Sequence, residues 1–160
     1  MAPRAPSRTT EGAARKRRAG GEAPVAWVEF LEAHAGITRE LDTSLRHSHG
    51  LSVNEYEVLL QLWLADGSRM RRVDLAERLL ITQGGMTRLL AGLERQGLVE
   101  RAPCPDDARV VYAQLTPAGE RRLEAARRDH LADVARLFSD RFSADELDRL
   151  SGLLSRLHGA

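Results

Sequence analysis

At 160 residues, 42% hydrophobic and 29% charged, the chain has the size and balance of one globular domain, or of a small domain with an added helical lobe. No apolar run approaches the ~18–20 residues of a membrane span, Arg and Gly interrupt any signal-like stretch near the N-terminus, and the single cysteine, Cys104, excludes an intramolecular disulfide framework and a cysteine-rich zinc site. The net charge of +1 hides an asymmetry, since residues 1–22 carry +4 and the rest about −3, so contact with a polyanion requires a basic face rather than a basic total.

A reducing, cytoplasmic setting is expected. Lys16 is the only lysine; every other basic residue apart from histidine is arginine. That bias suits phosphate and guanine contacts and equally reflects a GC-rich coding sequence.

Residues 1–22 hold almost no large apolar side chains and are expected to form a disordered basic tail. The Arg15-Lys16-Arg17-Arg18 run either lies on phosphates or is simply solvated. From Val25 onward, Trp27, Phe30, Leu31, His34, Ile37, Leu41 and Leu45 recur at helical steps, predicting a helix of about twenty residues that ends near His47–Gly50. Ser52 with Glu55 is a capping box for a second helix bearing Tyr56, Leu59, Trp63 and Leu64, stopped by Asp66-Gly67-Ser68. A short helix, Val73–Leu80, follows with Leu75, Ala76, Leu79 and Leu80 as its apolar face. Thr82 caps the next helix, Gln83 to about Gln96, and Gly97 ends it. Two extended runs, Leu98–Ala102 and Arg109–Leu115, flank a Pro- and Asp-rich turn and form a hairpin. Thr116 and Pro117 open a long helix, and Ser143 with Glu146 opens a last, leucine-rich one.

The order of short helix, turn, helix and hairpin predicts a winged helix-turn-helix over residues 51–116, and hence binding to double-stranded DNA. In its second helix Met86, Leu89, Leu90 and Leu93 make an apolar stripe. Gln83, Gly84, Gly85, Thr87 and Arg88 fall on the other side of the first two turns, where helix-turn-helix proteins meet base edges and phosphates in the major groove. Gln pairs with adenine, Arg with guanine, and Thr meets a thymine methyl or a phosphate. Gly84 and Gly85 each cost roughly 1 kcal/mol of helix propensity against Ala; they either admit a close approach to the groove or adapt the turn. At the hairpin tip Arg109 is suited to a narrow minor groove, with Asp107 placed to hold it. Arg71 and Arg72, before the short helix, either touch the DNA backbone or are solvated.

These residues resemble the MarR family of bacterial transcription regulators. The resemblance is carried by Asp74-Leu75-Ala76-Glu77-Arg78-Leu79-Leu80, by Met86-Thr87-Arg88-Leu89-Leu90, by Leu93 to Val99, by the wing Asp107-Ala108-Arg109, and by Leu115-Thr116-Pro117-Ala118-Gly119. Ala108 stands where the family usually has a basic residue, leaving Arg109 as the wing's contact. The implied fold is mainly α with a small β-hairpin wing, a winged helix-turn-helix joined to a helical dimerisation region built from both termini (residues 23–50 and 117–160). Those terminal helices are also too apolar to stand alone, and the resemblance implies that they interlock in a homodimer. Two recognition helices then lie about one DNA turn apart, ~34 Å, on a near-palindromic operator.

The resemblance further implies a repressor released by a small aromatic or phenolic effector, with Trp27, His34, Tyr56 and Trp63 as candidate pocket residues; all four equally fit a core. Cys104, between two prolines and beside acidic residues, is an alternative redox sensor with a poorly activated thiol. An architectural DNA-binding protein without an effector and a protein-docking module are the other readings. No enzyme is expected, because the five histidines lie on separate elements and no nucleophile–base or paired-carboxylate arrangement accompanies them. His47-Ser48-His49 has a metal fragment's look but lacks further ligands and reads as a loop. No metal or cofactor is expected.

Overall fold

The computed structural model of the chain describes residues 21–103 and 111–158. They form two compact units that divide between Glu40 and Leu41. Helix α1 (Glu22–His49) runs through the division and is 28 residues long, more than expected, beginning inside the segment assigned to the tail. Glu22 lies in its first turn, where a carboxylate suits the positive end of the helix. In the first unit Trp27, Phe30 and His34 share one helical face, with successive ring centroids 6.2 and 6.3 Å apart. Trp27, Phe30 and Leu31 are exposed there.

The second unit begins where Leu41 and Leu45 become buried. Gly50, at φ +66°, turns the chain out of α1. Asp42 then ties the two sides of the turn together, accepting from the Val53 N–H at 3.0 Å and from Arg46 Nε at 2.6 Å. The Arg46 guanidinium holds the Asp42 carboxyl below its usual range, and the Val53 bond adds to that. Helix α2 (Val53–Leu64) starts on the expected capping box: the Ser52 hydroxyl accepts from the Glu55 N–H, and the Glu55 carboxylate accepts from the Ser52 N–H.

A single 3-10 turn, Asp66–Ser68, leads to strand β1 (Arg69–Arg71), then α3 (Arg72–Arg78), α4 (Gln83–Arg95), β2 (Val99–Pro103), β3 (Val111–Leu115), α5 (Pro117–Ser139) and α6 (Ala144–His158). The strands form an antiparallel sheet in the order β1-β3-β2, with Met70 opposite Ala113 and Arg101 opposite the same residue from the other side. The wing is therefore rooted in the helix-turn-helix by a third strand that the hairpin expectation lacked. One further expectation is corrected. Helix α3 stops at Arg78, and Leu80 stands at φ 52° and 94% exposed rather than on the apolar face. The chain must reverse before Thr82, and the left-handed residue that does so turns its side chain outward. Ile81 packs on the core instead.

One core joins the elements of the second unit. Leu51, Val58, Leu59 and Leu62 meet Leu75, Met86 and Leu93 from the helix-turn-helix, Val99, Ala113 and Leu115 from the sheet, and Leu123 and Ala126 from α5. Thr116, the N-cap of α5, accepts from the Gly119 N–H at 3.0 Å and donates its hydroxyl to the Gly97 carbonyl at 2.7 Å. Its N–H bonds the Leu98 carbonyl at 3.1 Å. Helix α6 opens on the Glu146 carboxylate, which accepts from the Ser143 N–H and hydroxyl. None of its residues with a described side chain is buried, and Leu153 and Leu157 are exposed.

Two tests follow from this packing. A Cβ at Gly119 would overlap the Leu98 carbonyl oxygen and lie 2.8 Å from Leu115 Cδ1; Gly119→Ala should lower unfolding stability by about 3 kcal/mol in a denaturant titration. His130 rests its ring 4.5 Å from that of Tyr56, its buried Nδ1 has no hydrogen-bond partner among the described residues, and burial lowers its pKa from 6.5, against an opposing pull from Asp133. The unfolded chain thus takes up this proton first, so the stability it confers is complete above 6.5 and is lost as pH falls from there to the folded value. His130→Phe should make the melting temperature fall less on mild acidification.

Candidate nucleic-acid interface

Helix α4 is built to offer its N-terminus. Thr82 stands extended as N-cap and accepts from the Gly85 N–H at 3.1 Å. No acidic residue lies in the first turn, so the positive end of the helix dipole is left for an external anion. Met86, Leu90 and Leu93 are buried and anchor the opposite face, while Leu89 is half-buried. Gln83, Gly84, Thr87 and Arg88 are exposed together on the first two turns. The Thr87 hydroxyl donates to the Gln83 carbonyl at 2.8 Å, which orients its methyl group and lone pairs.

The two glycines divide between the readings given for them. A Cβ at Gly85 would meet Ile81 Cγ2 at 3.0 Å and Thr82 Oγ1 at 3.1 Å, so that glycine serves the cap. Among the described residues nothing lies within 4 Å of a Cβ at Gly84, which leaves a bare, open surface there.

Beside α4, Arg71 ends β1 and caps the start of α3 by position. Its guanidinium makes two 2.7 Å bonds to the Asp74 carboxylate, whereas Arg72 is exposed at the first position of α3. Arg101, on β2, pairs with Glu94 of α4 at 3.0 Å. The guanidinium of Arg69 sits 5.1 Å from the Tyr112 ring centroid. Arg71, Arg72, Arg101, Glu94 and Tyr112, but not Arg69, line a groove of about 340 Å³ between α4 and the sheet, with Thr87 also on its wall. Both ion pairs are solvent-exposed and therefore weak, so each arginine can exchange its carboxylate for another anion at little cost. Arg69 and Arg101 were missing from the sequence reading; the only trace of β1 was the polar–apolar–polar run Arg69-Met70-Arg71. Asp107 and Arg109 lie outside the described residues, as does Cys104.

The four candidate effector residues differ in setting. Tyr56 is buried in the core, and its burial raises the phenol pKa. Trp63 is 40% exposed, with the Arg127 guanidinium 5.5 Å from its ring centroid. Trp27 and His34 are exposed in the first unit. His47 and His49 occupy the last turn of α1 rather than a loop, and His49 Nε2 lies 2.8 Å from Asp129 Oδ2. Among the described residues no group of three or more His, Cys, Asp or Glu side chains is arranged to hold a metal, and no helix is long and apolar enough to cross a membrane.

Residues 49–110 match the MarR family model. The chain is 36% identical over 115 residues to the HTH-type transcriptional regulator YkoM of Bacillus subtilis, covering 71% of this chain and 73% of that one. It is 29% identical over 133 residues to the HTH-type transcriptional repressor YetL of the same organism, covering 81% and 79%. Among solved structures it resembles Sco3205 of Streptomyces coelicolor, a MarR family regulator crystallised with DNA, at 27% identity and TM-score 0.77, covering 84% of each chain. It also resembles the MarR family regulator AbsC of S. coelicolor, at 30% identity and TM-score 0.73, covering 85% and 94%. Likeness in both sequence and fold makes this chain a member of the MarR family of transcriptional regulators, and not an enzyme.

Proposed function

We propose that the protein is a repressor that binds a near-palindromic operator as a homodimer in the cytoplasm and is released by a small effector. The observation that carries the DNA-reading part is the exposed first two turns of α4, with Gln83, Gly84, Thr87 and Arg88 presented together on a Thr82-capped, acid-free helix end. Arg72 supplies a backbone contact beside them, and Arg71 does so on exchanging Asp74 for phosphate. Arg109 extends the contact into the minor groove, with Asp107 steadying it. The relative YetL, named a repressor, supports the sign of the regulation.

The homodimer is supported by unspent apolar surface. Trp27, Phe30 and Leu31 of α1 and Leu153 and Leu157 of α6 are exposed in the single chain. A symmetric interface from the terminal helices covers both sets and presents two recognition helices to one face of the duplex. An effector that prefers one spacing of those helices shifts the protein off DNA only by its difference in affinity for the two spacings. Trp63, exposed and already under a cation, is the strongest of the four candidate contacts for an aromatic acid.

Footprinting of the purified protein on genomic DNA, repeated with a panel of aromatic acids, tests the whole reading. A protected near-palindrome released by one compound is expected; protection with no preference over random DNA would instead indicate an architectural protein. On the protected site, Arg88→Ala should lose about 1–3 kcal/mol of discrimination against unrelated DNA, measured as the ratio of the two dissociation constants.

A further inference from the structure

A second basic surface borders the recognition helix on the side away from the sheet. On α4, Gly85, Arg88, Gly92 and Arg95 follow at three- and four-residue steps and form one stripe. Across an open groove of about 450 Å³ stand Arg46, near the end of α1, and Asn54, in the first turn of α2. Gly92 leaves the α4 wall without a side chain between Arg88 and Arg95, and a Cβ there would come no nearer than 3.9 Å to Glu55 Oε1. Neither Arg88 nor Arg95 is tied to a carboxylate among the described residues, and both are exposed. Arg46 is 61% exposed and bonds Asp42 through Nε.

The acidic groups at the rim are already engaged. Glu55 Oε2 accepts from the Ser52 N–H and hydroxyl at 2.8 Å each, and Glu55 Oε1 accepts from Gln96 at 3.4 Å. The Asp42 carboxylate is divided between Val53 and Arg46. Three guanidinium groups therefore face an open trough whose carboxylates are spent on holding its walls. The trough is shallow and wide, unlike an enclosed pocket for a small ligand, and it is continuous through Arg88 with the helix face assigned to DNA.

We propose that this groove is a phosphate track for the same duplex, with Arg46 and Arg95 each binding a backbone phosphate on the flank of the groove that α4 reads. Arg88 and Arg95 are two helical turns apart, about 10 Å along the axis, which lets them take different phosphates. Asp42 acts as a positioning residue, holding Arg46 against the start of α2. The C-terminal end of α1, apart from the winged segment in the chain, thus contributes directly to the DNA face.

The inference rests on the DNA-binding reading, and one titration series separates the two. The full chain is titrated with a mixed-sequence duplex and with the footprinted site over a range of salt. Arg46→Gln and Arg95→Gln should each reduce the slope of log K against log salt by about 1 per subunit, and should weaken both duplexes by the same factor. Arg46→Lys, which keeps the charge, should retain most of the slope. Arg149→Gln on α6 should leave it unchanged. Unaltered slopes in the Arg46→Gln and Arg95→Gln variants, an equal loss in Arg149→Gln, or a loss confined to the footprinted site would overturn the track while leaving DNA binding intact. A wild-type chain that binds neither duplex would overturn the DNA-binding reading and the track together.

Discussion

Thr116 holds three parts of the molecule with one side chain and one N–H. Its hydroxyl caps α5 and bonds the Gly97 carbonyl, and its N–H bonds the Leu98 carbonyl. The exit of α4, the start of β2 and the start of the long helix α5 therefore meet in one junction. Gly119 lets the first turn of α5 come into contact with the Leu98 backbone there. Two of these bonds end on backbone carbonyls of the segment leaving α4, so the start of α5 is tied to that segment directly.

The rest of the second unit is arranged around that junction. The sheet is tied to the helix-turn-helix through β1, whose three residues pair with β3 in the middle of the sheet. The core fills the space between α2, the two motif helices and α5 with leucine and valine. Apolar surface left outside this core includes Trp27, Phe30 and Leu31 of α1 and Leu153 and Leu157 of α6. Burial separates the elements: α4 closes off Met86, Leu90 and Leu93, whereas no α6 residue with a described side chain is buried.

Local chemistry was readable in the amino-acid sequence because it acts over three or four residues. Ser52 with Glu55, Thr82 before Gln83, Thr116 before Pro117, and Ser143 with Glu146 all mark helix starts as expected. The exposed set Gln83, Gly84, Thr87 and Arg88 followed from the apolar stripe opposite it. What escaped depends on distant partners. Strand β1 is too short to show a period and exists only because β3 pairs with it. Leu80 looked like core by spacing, but the reversal before Thr82 turned it out to solvent. Arg46 and Arg95 are far apart in the chain, and only the packing of α1 and α2 beside α4 brings them to one groove.

Among the arginines that border α4, from Arg71 and Arg72 to Arg88, Arg95, Arg101 and Arg46, there is no lysine, and the chain's single lysine is Lys16. A guanidinium keeps its proton at any pH at which a protein stays folded, and it is not an amine that acetyl transfer can cap. The positive charge of this surface is accordingly a constant of the molecule, insensitive to acidification and to the acyl chemistry that silences lysine-rich DNA-binding proteins. The attraction of this surface for an anion can then be altered only through where these charges stand and what pairs with them, not through whether they exist.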